Sequence, residues 1–413
     1  MSAKTSSKKH VPVSAELAAT YDKRRMVRPA MPRMYLKDNV LEAARKRLAW
    51  LFDEFDNLVV CTSGGKDSTV LTELALQVAR EKNRLPLDVM FLDQELEWQE
   101  TISYMRTVMY RPEVRPHWLQ VPFTLSNATS KKDAWLNAWD PSVKDIWMRE
   151  KEDIAVKDNV FGTIRFKALF DCYAMHAWPD QKLVWLAGLR ADENPGRSLG
   201  VTGGVTYGGE TWGRKMRGAQ QYTMYPIYDW SAVDIWKCIH ENGWTYNQIY
   251  DVQYQQGVNF RAMRISALCH EIAIKSLWTM QEISAETYRL VIRRLAGTDG
   301  AIKLGESTML PSALPPMFKD WADYRDFLLP RLIENPEWLA KMQHTFESDD
   351  RWYENAPWLN DLQRNHVHSI LCNDWEFVRR DNFMAKSHVV RWLVWVREQA
   401  KKQTMEGQNA NAS

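Results

Sequence analysis

The feature that most constrains this chain is the hexapeptide Ser-Gly-Gly-Lys-Asp-Ser at residues 63–68. It follows the apolar run 57–62 and opens an amphipathic segment over 68–80, so the pattern predicts a strand, a glycine turn and a helix. Adjacent glycines let the backbone approach a ligand closely, and the free N–H groups at a helix N-terminus attract an anion. Lys66 adds a mobile positive charge. The hexapeptide therefore predicts a phosphate-binding loop.

This loop differs from a Walker A loop at two positions. The Walker motif requires a glycine five residues before Gly65, where Val60 stands. It also requires a serine or threonine after Lys66, where Asp67 stands. The sequence therefore excludes a P-loop nucleotide site at this position.

In its strand, loop and helix context the hexapeptide resembles the PP-loop of the N-type ATP pyrophosphatases, a superfamily that includes the phosphoadenosine phosphosulfate (PAPS) reductases. The resemblance implies a Rossmann-like α/β fold of the adenine nucleotide α-hydrolase type. It also implies that the site binds ATP, or a PAPS-like adenine nucleotide, together with Mg²⁺. The loop residues implied in nucleotide binding are Ser63, Gly64, Gly65, Lys66, Asp67 and Ser68.

Apolar runs at 85–92, 117–122 and 183–188 alternate with helical stretches, which predicts a doubly wound parallel sheet. Asp93 ends the first of these runs, and open α/β sheets bind ligands beyond the carboxyl ends of their strands. We therefore expect Asp67 or Asp93 to orient Mg²⁺. The PAPS reductase pattern places a glycine directly after the aspartate that corresponds to Asp93. This chain lacks that glycine, which leaves the ligand geometry open.

Residues 188–197 follow the last of these runs and resemble the Gly-x-Arg-x-x-Glu-Ser-x-x-Arg element of the PAPS reductase group, with Asn194 in place of the serine. In that group the arginines hold the anionic end of the ligand, and Arg190 and Arg197 occupy the matching positions. A guanidinium fork suits phosphate or sulfate because it donates two parallel hydrogen bonds. Gly188, which opens the element, is counted with the nucleotide-binding residues. The alternative is a set of surface salt bridges.

The stretch 196–218 is rich in glycine and carries Arg214, Lys215 and Arg217. A loop of this composition gains little from apolar burial, so an anionic ligand is expected to order it. We therefore predict a lid over the site, and the alternative is a plain disordered loop. The segments 225–236 and 246–251 resemble further blocks of the PAPS reductase group and are expected to close the nucleotide domain.

Beyond residue 276 the PP-loop motifs end, and helical spacing predicts an all-helical C-terminal domain. The predicted domains are a basic N-terminal arm at 1–37, a nucleotide-binding domain at 38–276, a helical domain at 277–403 and a disordered tail at 404–413.

Composition sets further limits. The net charge of +2 gives no global argument for binding nucleic acid or an anionic membrane. Five scattered cysteines without a Cys-x-x-Cys pair indicate a reducing compartment. Apolar runs fall short of the roughly 20 residues that span a bilayer, and the N-terminus lacks the apolar core of a secretory signal. We therefore expect a cytoplasmic protein without a membrane segment.

The chain lacks the Glu-Cys-Gly-x-x-x-His-like segment that carries the reductase nucleophile. Cys269 and Cys372 are the nearest candidates, and neither has flanking residues that would activate a thiolate. His366, His368 and Cys372 fit no common zinc spacing. By length and order of blocks, the chain resembles PAPS reductase-like proteins of the immunoglobulin-binding regulator A (IbrA) type, found on bacterial chromosomes and prophages. That resemblance implies a ParB/sulfiredoxin-like partner and contact with nucleic acid through the complex.

Three hypotheses follow. The first is an ATP pyrophosphatase or adenylyltransferase in which Lys66 holds phosphates, Asp67 orients Mg²⁺ and Arg190 stabilises charge on the acceptor. The second is a nucleotide-sensing regulatory module without turnover, such as a transcription co-activator or a phage-defence component. The third is a thiol-dependent PAPS reductase or sulfurtransferase that uses Cys269 or Cys372.

Overall fold

The computed structural model of the chain describes residues 13–21, 36–130, 133–193, 195–201, 204–261, 263–265, 267–269, 280–295, 298 and 310–410. The chain divides into two compact units. One unit, called here the nucleotide unit, spans residues 36–305, and the other, the helical unit, combines residues 1–35 with 306–413.

The strands of the nucleotide unit are, in chain order, β1 (Asn57–Thr62), β2 (Leu87–Leu92), β3 (Val114–Leu119), β4 (Phe123–Ser126), β5 (Trp135–Ala138), β6 (Leu183–Ala187), β7 (Gly213–Lys215) and β8 (Gln221–Met224). The main sheet has the order β3-β2-β1-β6-β8-β7, and its pairs are parallel except for the antiparallel pair of β7 and β8. β4 and β5 form a separate antiparallel hairpin. The predicted α/β class with a parallel sheet is confirmed.

The order of the strands creates a switch point beside β1. From β1 the chain proceeds to β2 and β3 on one side, and it later returns to β6 on the other side of β1. In open α/β sheets the crevice at such a point, beyond the carboxyl ends of the strands, is where ligands bind. The loops that follow β1 and β6 meet at this crevice.

The α-helices of the nucleotide unit span Val40–Glu54, Lys66–Glu81, Gln99–Met109, Phe166–Ala177, Pro195–Gly200, Ala232–Glu241, Ile249–Gln255, Met280–Ile283 and Ala285–Arg294, and short 3-10 turns span Pro141–Ile146 and Ala191–Glu193. The first of these helices is capped by Asn39, whose side chain accepts from the Glu42 N–H while the Glu42 carboxylate accepts from the Asn39 N–H. Such reciprocal capping satisfies donors that the first turn leaves unpaired. Ser231 and Asp234 cap Ala232–Glu241 in the same way.

The two faces of the sheet are covered differently. One face contributes Val60, Val184 and Leu186 to an apolar core with the helices Val40–Glu54, Lys66–Glu81 and Ala232–Glu241. Because side chains alternate along a strand, the neighbouring residue Trp185 points to the opposite face. There it contacts the rings of Phe170 and Tyr173, which belong to the helix Phe166–Ala177. The second face therefore carries a cluster of aromatic rings around Trp185.

The sequence predicted a domain boundary between residues 276 and 277, whereas the structure divides the chain after residue 305. Arg294 explains the difference. Its Nε and Nη2 donate to the two carboxylate oxygens of Glu95 at 2.6 and 3.1 Å, and both side chains are buried. A buried ion pair of this kind links Ala285–Arg294 to the carboxyl end of β2.

The helical unit contains α-helices at Ala15–Ala19, Trp321–Leu332, Pro336–Trp352, Leu359–Leu371, Val378–Met384 and Ser387–Ala410. The rings of Trp358 and Trp392 pack edge to face with centroids 5.5 Å apart in a core that also includes Leu362 and Val389. The predicted helical C-terminal region is confirmed. None of the helices in the described part of the chain is both long and apolar enough to cross a membrane.

Two expectations about the chain ends are corrected. Residues 13–21, expected in a basic arm, pack within the helical unit: Asn355 donates to the Val13 carbonyl at 2.8 Å, and Tyr21 contacts Trp395 with ring centroids 5.1 Å apart. Residues 404–410, expected to be disordered, continue the last helix. The sequence contains no helix-breaking proline there, so the helical pattern continues.

Candidate active site

A cavity of about 900 Å³ lies beyond the carboxyl ends of β1, β2 and β6, at the switch point. A volume of this size is near the upper end for small-molecule sites. The structure brings most of the residues predicted for the site together here. Those that line the cavity are Ser63, Gly65, Lys66, Asp67, Ser68, Gly188, Arg190, Arg197 and Arg214.

Two glycines allow the loop to pack tightly at the floor of the site. Gly64 has φ +71°, and a Cβ on it would lie 2.9 Å from Thr101 Cγ2. Gly188, at the end of β6, approaches the first turn of the loop helix, where a Cβ would lie 3.0 Å from the backbone of both Asp67 and Ser68. A side chain at either position would displace the loop, so both glycines are required by geometry.

The loop is held in place by side chains from within and from outside it. Ser68 Oγ donates to the Gly65 carbonyl at 2.9 Å and accepts from the Ser63 N–H at 3.2 Å. The Lys66 N–H donates to the Tyr250 hydroxyl at 3.0 Å. Burial raises the pKa of Tyr250, so this phenol is neutral at physiological pH. Tyr250 is a site residue that sequence reasoning missed, although it lies in the predicted 246–251 block.

Asp67 lies between two cations. Its carboxylate accepts from Arg190 Nε and lies 3.3 Å from Lys66 Nζ. Lys66 Nζ also donates to the Met263 carbonyl at 3.1 Å, and Arg190 Nη1 donates to the Trp230 carbonyl at 3.4 Å. Lys66 and Arg190 are both buried. Arg190 Nη1 also lies 4.0 Å from the Asp192 carboxylate. Two buried cations and two carboxylates therefore form a preorganised cluster at the loop.

Asp93 is placed away from the cavity. It is fully buried and accepts from Trp118 Nε1 at 3.0 Å, from Gln120 Nε2 at 2.9 Å and from Arg149 Nη2. Its oxygens are thus taken up by interior donors, and the expected role of Asp93 at Mg²⁺ is not supported. Sequence reasoning had no signal for Arg149, which reaches Asp93 from the stretch that follows the β4–β5 hairpin. Asp67 is the predicted metal ligand that does line the cavity.

The predicted lid is partly regular structure. Residues 213–215 form strand β7 at the sheet edge, where Arg214 pairs with Thr223 of β8. Arg214 lines the cavity, whereas Lys215 is exposed outside it. This part of the glycine-rich stretch is therefore a strand at the sheet edge rather than a loop, and the lid role of Arg214, Lys215 and Arg217 stays a prediction. Residues 202–203 and Asn194 lie outside the described residues.

The arginines around the cavity differ in their pairing. Arg197 Nη1 donates to Glu193 at 2.8 Å. Arg214 Nη2 donates to Asp171 at 3.1 Å, and Arg217 Nε lies 3.9 Å from the same carboxylate. Two more arginines that sequence reasoning missed, Arg261 and Arg264, line the cavity and are exposed. Neither forms an ion pair with another residue that the structure describes. The cavity is therefore rich in positive charge.

Glu97 is a further cavity residue that sequence reasoning missed. It is 3% exposed, and Gln94 Nε2 donates to it at 3.2 Å. Burial, together with the nearby negative charge of Asp93, raises the pKa of Glu97 to about 7. The acidic run after β2 was the available signal, but it could not show which carboxylate faces the cavity. Glu97 is the one that does, and its protonation changes near neutral pH.

The comparison with known proteins agrees with this site. Residues 57–256 match the phosphoadenosine phosphosulfate reductase domain family, so this region of the chain is a PAPS reductase-like domain of the PP-loop superfamily. It is 28% identical over 311 residues to the uncharacterized protein YbdN of Escherichia coli K12, covering 72% of this chain and 76% of the relative. It is 27% identical over 221 residues to the adenosine 5'-phosphosulfate reductase of Anoxybacillus flavithermus, covering 52% of this chain and 77% of that protein.

Solved structures resemble the chain only distantly. A PAPS reductase from Candida auris in a phosphate complex aligns with 59% of this chain and 94% of its own, at 14% identity and a TM-score of 0.29. A Candida glabrata FMN adenylyltransferase in complex with ATP aligns with 52% and 61%, at 13% identity and a TM-score of 0.32. Similarities of this size add nothing to the family match. The family prediction is confirmed at the level of the superfamily, and a particular closeness to the IbrA type stays a prediction.

Proposed function

We propose that this protein is an ATP-binding PP-loop enzyme that cleaves the nucleotide between its α and β phosphates. An acceptor nucleophile attacks the α-phosphorus, the bond from that phosphorus to the bridging oxygen breaks, and pyrophosphate leaves. The observation that carries the proposal is the cluster of Lys66, Asp67 and Arg190 at the N-terminus of Lys66–Glu81, inside a cavity large enough for a nucleotide.

Each group has a role in this scheme. The β and γ phosphates lie at the Gly65 turn and at the Lys66 ammonium, where the positive end of the dipole of the helix Lys66–Glu81 favours negative charge. Arg190 and Arg197 stabilise charge on the transferred and accepting groups, because guanidinium groups donate paired hydrogen bonds to phosphate oxygens. Asp67 is the predicted metal ligand that lines the cavity, and Mg²⁺ commonly takes one or two carboxylates and completes its shell with phosphate and water. To bind there, the metal would have to displace Lys66 or Arg190 from the Asp67 carboxylate. Bound there, the metal would neutralise phosphate charge.

Thiol chemistry is less favoured by this geometry. Cys61 is the cysteine among the described residues that line the cavity, and burial raises the pKa of its thiol. A neutral thiol is a poor nucleophile, since the thiolate is the reactive form. Cys269 is buried outside the cavity lining, and Cys372 belongs to the helical unit. The reductase or sulfurtransferase alternative therefore has no activated cysteine to support it.

A nucleotide-sensing module is the second candidate. It is favoured by the same cluster, because an arriving phosphate must compete with Asp67 for two buried cations. Binding would then rearrange contacts of Lys66 and Arg190 with the backbone of other segments. In either case the resemblance suggests a ParB/sulfiredoxin-like partner, with the tryptophan-rich helical unit as the proposed interface and nucleic acid reached through the complex. The five free cysteines support a cytoplasmic location.

Calorimetric titration of the full chain with ATP and Mg²⁺ tests the nucleotide site. Lys66→Ala removes a cationic phosphate ligand, and the expected loss of roughly 2–4 kcal/mol corresponds to a 30- to 1000-fold weaker affinity. Lys237→Ala, on an exposed helix face, is the matched control and should bind like wild type. Equal ATP affinity in all three proteins would contradict the proposal. A pyrophosphate-release assay on the same proteins separates the enzyme from the sensor, which binds without release.

A further inference from the structure

We propose that the aromatic side of the cavity is a second subsite, which binds the acceptor as a planar aromatic molecule carrying an anionic group. This inference rests on the proposed function, because it identifies the class of the second substrate. Three observations carry it, and they concern the apolar wall, the charge at its edge and an unsatisfied donor within it.

The wall is made of aromatic rings from two elements. Phe166 and Phe170 contact each other edge to face at 5.5 Å, and Phe170 contacts Trp185 at 6.3 Å. All three line the cavity, and they do so on the sheet face opposite the loop helix. Phe166 and Phe170 are half-buried, so their rings retain surface toward the cavity. Aromatic walls favour planar rings, which gain offset-stacked or edge-to-face contacts there.

The charge at the edge of this wall is unbalanced. Asp171 belongs to the same helix as Phe166 and Phe170, and both Arg214 and Arg217 pair with its carboxylate. Within the described part of the chain, no second carboxylate pairs with either arginine. One carboxylate against two guanidinium groups leaves one net positive charge beside the rings. Arg214 is the member that lines the cavity, so it is the donor that an anionic substituent would meet.

Trp185 supplies the third observation. Its side chain is 2% exposed, and its indole N–H has no hydrogen-bond partner among the residues that the structure describes. Buried donors are almost always satisfied, and each exception calls for a partner or a function. The indole nitrogen exposes less than 1 Å², so a bound ring with an acceptor atom becomes its partner only after the neighbouring side chains shift. The same wall thus offers stacking surface, a donor and a nearby cation.

The aromatic subsite is separate from the nucleotide site because the two lie on different faces of the sheet. The phosphate-binding loop comes after β1 and leads onto the apolar face, whereas the rings lie on the other face near β6 and β8. A ligand on the aromatic wall would therefore leave Lys66 and the Gly65 turn accessible. Both ligands can be present together, as a transfer between them requires.

The probe for the test is 1-naphthoate, a planar aromatic carboxylate, with uncharged 1-naphthalenemethanol as its partner compound. Binding to the full chain is measured by ligand-observed NMR and calorimetry, with and without ATP and Mg²⁺. Arg214→Gln should weaken 1-naphthoate about tenfold or more and leave 1-naphthalenemethanol unchanged, because it removes a charged hydrogen bond alone. Phe170→Leu keeps the apolar bulk and should weaken both compounds. Lys237→Ala, on an exposed helix face, is the control and should behave like wild type. Arg217→Gln removes the second guanidinium at Asp171, outside the cavity lining, and should weaken 1-naphthoate less than Arg214→Gln does.

Three results would overturn the inference. They are an absence of naphthoate binding to wild type, an equal loss in Arg214→Gln and Arg217→Gln, and complete displacement of naphthoate by ATP, which would assign the wall to the nucleotide base. Failure of the proposed function gives a different result. In that case wild type does not bind ATP, or Lys66→Ala binds ATP as tightly as wild type does, independently of the naphthoate measurements. Unchanged ATP affinity in Arg214→Gln would support two separate subsites.

Discussion

Glu97 offers a direct test of how burial shapes the site. Its carboxyl is buried beside Asp93, and its pKa is raised from 4.5 to about 7 in the folded protein. A group with a raised folded pKa binds more protons in the native than in the unfolded state between these two values. Stability must therefore fall as pH rises through this window, by about 1.4 kcal/mol per pH unit and about 3 kcal/mol in full.

The variant Glu97→Gln keeps the shape of the protonated side chain and removes its titration. Relative to wild type it should gain about 2.5 kcal/mol between pH 5 and pH 8, measured by urea unfolding of the full chain at each pH. Glu241→Gln, an exposed residue of the helix Ala232–Glu241, is the control and should follow wild type. A difference between Glu97→Gln and wild type that stays constant from pH 5 to pH 8 would refute the reasoning. It would mean that water reaches the Glu97 carboxyl and that Arg149 fully neutralises the negative charge of Asp93.

Two further predictions concern packing and charge. Gly188→Ala places a Cβ 3.0 Å from the backbone of the loop helix, so we expect a loss of roughly 1–3 kcal/mol in stability and weaker ATP binding by calorimetry. Gly204→Ala, which meets no atom within 4 Å, should change neither. Arg294→Met leaves Glu95 buried without its partner and should cost about 3–5 kcal/mol in urea unfolding. Adding Glu95→Gln should recover much of that loss, and a double variant as unstable as the single one would contradict the assignment.

Local patterns in the sequence were sufficient to predict the loop and the sheet. The hexapeptide is recognisable from local sequence because an apolar run, the glycines and a helix start are adjacent in the chain. The fate of Asp93 was not predictable in this way. Its position at the carboxyl end of β2 is correct, but its partners Trp118, Gln120 and Arg149 are 25 to 56 residues away along the chain. Only the folded structure shows that these three side chains donate to the carboxylate oxygens of Asp93.

The structure of the glycine-rich stretch 196–218 also depends on contacts with residues outside it, which its composition does not reveal. Its composition argues for a loop, yet tertiary pairing with β8 makes residues 213–215 a strand, because backbone hydrogen bonds to a preformed sheet edge offset the entropy that glycine costs. That pairing places Arg214 on a strand at the cavity wall. Position within the sheet, rather than residue type, decides which arginine can reach a ligand.

The cluster at the loop links these observations to selectivity. Lys66 and Arg190 are neutralised in part by Asp67, so a ligand with a single negative charge gains little by competing with a carboxylate that is already in place. A polyphosphate brings several charges and also meets the free N–H groups of the loop, which Asp67 does not occupy. Under the proposed function, we therefore expect the built-in carboxylate to raise the threshold for anion binding and to favour a nucleoside triphosphate over inorganic phosphate or sulfate. By this argument Asp67 acts as an internal competitor that sets the charge a ligand must carry.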